Sequence, residues 1–178
     1  EVFKAKSFAQ GGFEKLLVIK RILQHLSGND EFVSMFIDEA KISVELQHPN
    51  IVQIYDFGRI RENYFIAMEC VEGKDVKSIL RKLAERRKLF TPEYAVYVAH
   101  EVCKGLSYAH KKSNLQGEEL GIVHRDIKSA NLMIVRATSG SEPQLKIMDF
   151  GLAQLAAGAS KLTQDGSTLG TAAYMSPE

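Results

Sequence analysis

The sequence predicts an α+β fold, with an antiparallel sheet and one helix early in the chain and mainly helices later. Three observations predict it. Strand-like runs rich in β-branched residues cluster in the first 70 residues, two of them joined across a glycine pair. Apolar residues recur at helical spacing over 29–46, 76–87 and 91–110. A polar loop, Ile122-Val-His-Arg-Asp-Ile-Lys-Ser-Ala-Asn131, sits between short apolar runs and so reads as a loop held between strands.

Composition narrows the function classes. The chain has 178 residues, which suits one domain or part of a larger one. Its 45% hydrophobic content is enough for a real core. Charges balance to a formal +1, which implies no nucleic-acid or membrane-surface partner. Cys70 and Cys103 lie inside apolar patterns and read as reduced core residues of a cytosolic protein. No apolar run approaches the roughly 20 residues of a membrane span, and no signal peptide is visible. The chain starts without Met and stops at Pro177-Glu178, so both ends read as cuts through a longer protein.

The elements follow in order. Val2 to Ser7 and Leu16 to Ile22 read as a hairpin around Gln10-Gly11-Gly12. Asn29 to Leu46 is a helix with Asn29 or Asp30 as N-cap and Phe32, Phe36, Ala40 and Val44 as its apolar stripe. His48-Pro49-Asn50 ends it, because proline lacks an N–H and restrains the residue before it; His48 itself reads as structural. Ile51 to Asp56 and Tyr64 to Cys70 are strands around a turn at Gly58–Asn63. A helix over Val76 to Arg87 carries Arg81, Lys82, Arg86, Arg87 and Lys88 on and after it, either a solvated face or a docking surface for acidic substrates. Thr91-Pro92-Glu93 opens a buried helix to about His110. Lys112 to Gly121 is a polar, exposed loop. Leu132 to Val135 and Leu145 to Met148 form a hairpin around the tip Thr138 to Glu142, and Asp149-Phe150-Gly151 follows. Leu155 to Leu169 has no sustained period.

The loop at 122–131 carries the chemistry. Asp126 is a carboxylate, Lys128 a cation and Asn131 an amide able to ligate a metal, all within six residues. Phosphoryl transfer needs this set. A carboxylate orients the attacking hydroxyl and accepts its proton, an ammonium neutralises the moving phosphoryl group, and an oxygen ligand holds Mg²⁺.

The run His124-Arg-Asp-Ile-Lys-Ser-Ala-Asn131, with Val18-Ile19-Lys20, Glu39, Met68-Glu-Cys-Val-Glu-Gly73, Asp149-Phe-Gly151 and Ser176-Pro-Glu178, resembles the protein kinase family, specifically its eukaryotic-like serine/threonine branch. Gly170-Thr-Ala-Ala-Tyr-Met-Ser-Pro-Glu178 is most similar to bacterial members. The resemblance spans nearly the whole chain and implies a bilobal fold. Residues 1–68 would form the N-lobe, 69–74 the hinge and 75–178 a partial C-lobe, with an activation segment over 149–178.

The resemblance also implies roles. Lys20 would hold the α- and β-phosphates of ATP and pair with Glu39. Val2 and Val18 above, and Met133 below, would line the adenine site. Met68 would be the gatekeeper, and the backbones of Glu69 and Val71 would bond adenine. Asp75 would either bind ribose or cap the following helix. Asp126 would be the catalytic carboxylate and Lys128 the serine/threonine-type lysine, while Asn131 and Asp149 would hold Mg²⁺, with Mn²⁺ as an alternative. His124 would pack rather than titrate. Thr171 would bond Asp126 and Lys128. Arg125 would receive a phosphate on Thr163, Ser167 or Thr168. The glycines of the phosphate-covering loop are not in the chain: Glu1-Val-Phe-Lys-Ala5 is similar only to that loop's tail, and Gly11-Gly12 come too late. Ser129-Ala130 departs from the usual Pro-Glu. The implied partners are proteins bearing Ser or Thr and a second copy for trans-autophosphorylation, in the cytoplasm, with any membrane anchor outside this chain. The alternatives are a kinase-fold pseudoenzyme or scaffold, a small-molecule phosphotransferase, and a fragment that is inactive in isolation.

Overall fold

The structure is a computed structural model describing residues 1–8, 12–23, 27–61, 63–114, 116–136, 142–150 and 172–174; of residues 31, 32, 35, 39 and 172 it describes the backbone alone. Strands β1 (Val2–Phe8) and β2 (Glu14–Arg21) pair antiparallel, from Val2 opposite Lys20 to Phe8 opposite Glu14. With β3 (Ile54–Ile60) and β4 (Asn63–Glu69) they form a four-stranded sheet of order β1-β2-β4-β3. Lys20 therefore lies on a central strand, opposite Ile66.

Helix α1 (Asp30–Val44) begins one residue after Asn29, whose carbonyl accepts the N–H of Val33. Its residues Phe36 and Ala40 pack on Ile22 and Ile66, with Ile54, Phe57 and Met68 around them. The predicted stripe does not run the full length. Val44 is exposed, while Ile42 and Leu46 are buried in a second core. Past residue 40 the helix leaves the sheet, so a different face is covered. Bonds from Glu45 N–H to Ile42 and from Leu46 N–H to Ser43 tighten the helix end.

The chain reverses between Ile60 and Asn63, inside the expected region Gly58–Asn63, but β3 runs further into that region than the strand expected to end at Asp56. Gly58 sits inside β3, where an added Cβ would lie 2.7 Å from the Phe65 ring. The glycine marks a close approach of side chain to backbone rather than a reversal of the chain.

A second, three-stranded sheet has the order β5-β6-β7, built from β5 (Gly73–Asp75), β6 (Leu132–Val135) and β7 (Gln144–Ile147). Helices α2 (Val76–Glu85) and α3 (Pro92–His110) pack beside it. α3 starts with Pro92 in its first turn, as the sequence predicts, but only one face is buried, through Val102, Gly105 and Ala109. Tyr94, Val96 and Cys103 are exposed, so Cys103 is not a core residue, and Cys70 is only half-buried. An apolar sequence pattern reports the capacity for burial and not a neighbour's presence. The polar loop 112–121 is braced by a Ser113–Glu119 bridge, and Asn114 accepts from the N–H groups of Gln116 and Glu118.

The second core joins Ile42, Leu46 and Ile51 to Val102, Ala109, Ile122, Leu132, Leu145, Ile147 and Phe150. Residues 50–52 tie the two parts of the chain together. Ile147 N–H donates to Asn50 at 2.8 Å, and Val52 N–H donates to Ile147 at 2.9 Å. The Asn50 side-chain amide reaches Leu145 O at 2.9 Å and Glu101 at 2.7 Å. Tyr108 of α3 accepts Gln47 N–H at 3.1 Å and stacks on His48, which bears out a structural role for that histidine.

Gly73 opens β5 under a severe constraint: a Cβ there would lie 2.1 Å from the carbonyl oxygen of Ile134. The obstacle is backbone of the paired strand and cannot rotate away. Gly73→Ala should destabilise the protein that contains this chain by at least the roughly 1–3 kcal/mol of an overpacked core. Gly58→Ala meets only a ring and should cost less. Denaturant midpoints of the two variants check the order.

Candidate active site

The polar loop leaves Ile122, which is fully buried, and ends in a single 3-10 turn, Ser129–Asn131. His124 organises it from inside. Its Nδ1 accepts Asp126 N–H at 3.2 Å, which assigns the ring proton to Nε2, 3.1 Å from the carbonyl of Met148. Burial pushes the His124 pKa below its ordinary value, against the opposing pull of the Met148 bond and the Asp126 charge. The ring is therefore neutral near pH 7. It rests 4.5 Å from the ring of buried Phe150, so His124 packs as expected.

Asp126, Lys128 and Asn131 converge. Lys128 Nζ is 2.5 Å from Asp126 Oδ2. The Asn131 amide nitrogen donates to the backbone oxygen of Asp126 at 2.9 Å and to its Oδ2 at 3.1 Å. Donating through nitrogen leaves the Asn131 side chain its oxygen as the atom to ligate a cation. The turn is closed by Asn131 N–H on Lys128 O at 2.8 Å.

Asp149 comes to the same place from β7. Met148 N–H donates to Asn131 O at 2.8 Å, which sets the two predicted metal ligands side by side. Asp149 has φ 55° and Arg125 φ 64°, left-handed values uncommon for residues other than glycine. Such backbone costs on the order of 1–3 kcal/mol and persists only where the surroundings over-determine it. Here both flank the reacting groups. Lys20 Nζ lies 3.1 Å from Asp149 Oδ1, spanning from the four-stranded sheet to the end of β7. The side chain of Glu39, the expected partner of Lys20, lies outside the described residues.

Among the described residues no three His, Cys, Asp or Glu side chains cluster as a closed metal cage. Mg²⁺ takes one or two protein oxygens and completes its shell with phosphates and water. Asn131 and the half-exposed Asp149 are such a pair, so the residues present fit the ion.

The residues expected to face a nucleotide fall on the sheets and the connection between them. Met68 pairs with Val18 and Ile54 in the sheet. Glu69 N–H is taken by Gln53 O at 2.8 Å, so of its two backbone groups the N–H is already engaged. Val71 follows in a half-buried connection, Met133 lies opposite Asp75, and Val2 is exposed on β1 opposite Lys20. Asp75 caps α2, accepting from Ser78 N–H and Ser78 Oγ at 2.7 Å each. The Ser78 bonds hold its carboxyl below the usual range. Of its two predicted roles the structure displays the cap. Thr163, Ser167, Thr168 and Thr171 lie outside the described residues.

Sequence reasoning missed one ion pair. Lys146, buried on β7, binds Glu69 at the end of β4 at 2.8 Å. The signal was a lysine inside the apolar run Leu145-Lys-Ile-Met148, since a buried charge demands a partner.

Set on this geometry, the comparisons are consistent. A family model described as "Protein kinase domain" matches residues 1–178, and the chain belongs to that family. The chain is 41% identical over its full length to a tyrosine-protein kinase, MasK, of Myxococcus xanthus. It is 39% identical, over 90% of its length, to the serine/threonine-protein kinase PknJ of Mycobacterium bovis, and 32% identical over 91% to PknB of Mycobacterium leprae. It spans only 27%, 25% and 24% of these relatives. The solved kinase domain of Mycobacterium tuberculosis PknI superposes with a TM-score of 0.61 at 27% identity, covering 82% of this chain and 53% of that one. The α+β reading and the kinase fold are thereby borne out. No helix among the described residues is long and apolar enough to cross a membrane.

Lys146→Met strands the Glu69 carboxylate in a half-buried site and should cost roughly 1–3 kcal/mol. Adding Glu69→Gln should recover part of that, and a double-mutant cycle on unfolding free energies measures it. A pH slope is also expected. His124 has a folded pKa below its unfolded value of 6.5, so the unfolded chain binds more protons as pH falls. The stability it contributes is complete above about pH 6.5 and is lost as pH falls toward the folded pKa. Burial lowers the pKa of His48 as well. His124→Gln should therefore flatten part of the acid-side slope in unfolding titrations between about pH 5 and 7.

Proposed function

We propose that the protein containing this chain is an ATP-dependent serine/threonine protein kinase. The observation that carries this reading is the convergence of Asp126, Lys128 and Asn131 on one carboxylate oxygen, with Asp149 and Lys20 paired beside them. Asp126 orients the acceptor hydroxyl and takes its proton, and Lys128 offsets charge on the moving phosphoryl group. Lys20 holds the α- and β-phosphates. Asn131 and Asp149 would hold Mg²⁺, or Mn²⁺, which neutralises the β- and γ-phosphate oxygens when bound. The Glu69 carbonyl and the Val71 backbone receive adenine between Val2, Val18 and Met133, with Met68 behind them.

The finer parts of the reading rest on the family. The chain divides into an N-lobe over 1–68, a hinge over 69–74 and part of a C-lobe over 75–178. Activation involves autophosphorylation by a second copy at Thr163, Ser167 or Thr168, read by Arg125, and Thr171 braces Asp126 and Lys128. The substrates are cytoplasmic proteins. The intact catalytic set and the kinase relatives do not favour a scaffold or an inert fragment. Transfer to tyrosine is the second reading, favoured by the name of the Myxococcus relative alone.

One experiment tests the reading. The full-length kinase is incubated with labelled ATP, Mg²⁺ and unstructured acceptor protein, and the product is acid-hydrolysed. Phosphoserine and phosphothreonine should dominate; dominant phosphotyrosine would transfer the case to the second reading. Asp126→Asn should lower kcat by about 10²-fold or more with nucleotide affinity nearly intact. A variant of wild-type rate would remove Asp126 from its role.

A further inference from the structure

The turn Ala172–Tyr174 is tied to the loop that carries Asp126 by a pair of hydroxyl groups. Ser129 Oγ and Tyr174 Oη are 2.8 Å apart. Ser129 follows Lys128 directly and opens the 3-10 turn that ends in Asn131. That turn is rigid at both ends, through Asn131 N–H on Lys128 O and the Asn131 amide on Asp126. Tyr174 ends a separate 3-10 turn, Ala172–Tyr174, and more than half of its surface is exposed. Apolar burial therefore does little to hold the ring in place. Among the described residues, the hydroxyl bond is the directed contact between this turn and the loop that carries Asp126. The proline usual at position 129 in the resembling family has no hydroxyl and could not make it.

We infer that Ser129 and Tyr174 are positioning residues for the protein acceptor, acting as a hydroxyl latch that holds the 172–174 turn in register with Asp126. The inference rests on the kinase reading above. The latch touches neither Lys20 nor the hinge, so it acts on acceptor binding and leaves nucleotide affinity alone. Loss of either hydroxyl removes the same bond, so the two losses cannot add.

The test uses the full-length kinase, ATP with Mg²⁺, and a synthetic peptide carrying a single serine. Ser129→Ala and Tyr174→Phe should each raise the peptide KM about two- to tenfold, the range of one neutral hydrogen bond. The KM for ATP should not change. Ser129→Ala/Tyr174→Phe should be no worse than either single variant. Ser129→Thr, which keeps a hydroxyl, should restore the peptide KM to near wild type. Unchanged peptide KM in both single variants, effects that multiply in the double variant, or a parallel rise in the ATP KM would each overturn the latch. No phosphate transfer by the wild-type enzyme would overturn the kinase reading, and the latch with it.

Discussion

The strand β7 carries the constraint on which the site depends. The Asp149 carboxylate must be presented to Lys20 and beside Asn131, which lie on separate parts of the chain. β7 is buried between them and bonded to both. Its residue Ile147 exchanges backbone bonds with Asn50 and Val52, while its partner strand β6 follows directly from Asn131. Displacing β7 would move Asp149 away from Lys20 and Asn131 together. The left-handed backbone at Asp149 is tolerated because the strand before it and Phe150 after it are both fixed.

Charges near this strand serve the same constraint. Lys146 lies on β7 and meets Glu69, three residues ahead of the carboxylate that meets Lys20. Each pair bridges the sheet of β1–β4 to the sheet of β5–β7. A partly buried pair yields little net stability once desolvation is subtracted, but breaking one partner is costly. Such pairs therefore favour one arrangement of the two sheets over others. His124 works similarly without charge. Kept neutral by burial, it engages the Asp126 backbone with one ring nitrogen and Met148 with the other, and so couples the loop to the same strand.

Much of the fold was legible because its elements obey local rules. The hairpin β1–β2, the helix after Asn29, the start of α3 at Pro92 and the hairpin β6–β7 follow from period, caps and turn residues. The failures share a cause. Gly58 looked like a turn because a glycine in isolation reports permissiveness, whereas here it makes room for Phe65. Val44 and Cys103 looked buried because periodicity marks an apolar face without saying what covers it. Asp75 stays open between two roles in the sequence, and the Ser78 contacts to both its oxygens show the cap.

The sequence by itself determined the chemistry. Asp126, Lys128 and Asn131 fall within six residues, and a loop that short must keep them close whatever surrounds it. The tertiary structure alone decided which distant groups meet. Lys20 and Asp149 are 129 residues apart, and Glu69 and Lys146 are 77 apart. No local pattern encodes such distances, because they depend on how two sheets and α1 pack. The Ser129–Tyr174 contact is of the same kind. Two ordinary hydroxyls acquire a role only when the fold brings residues 45 positions apart within hydrogen-bond reach.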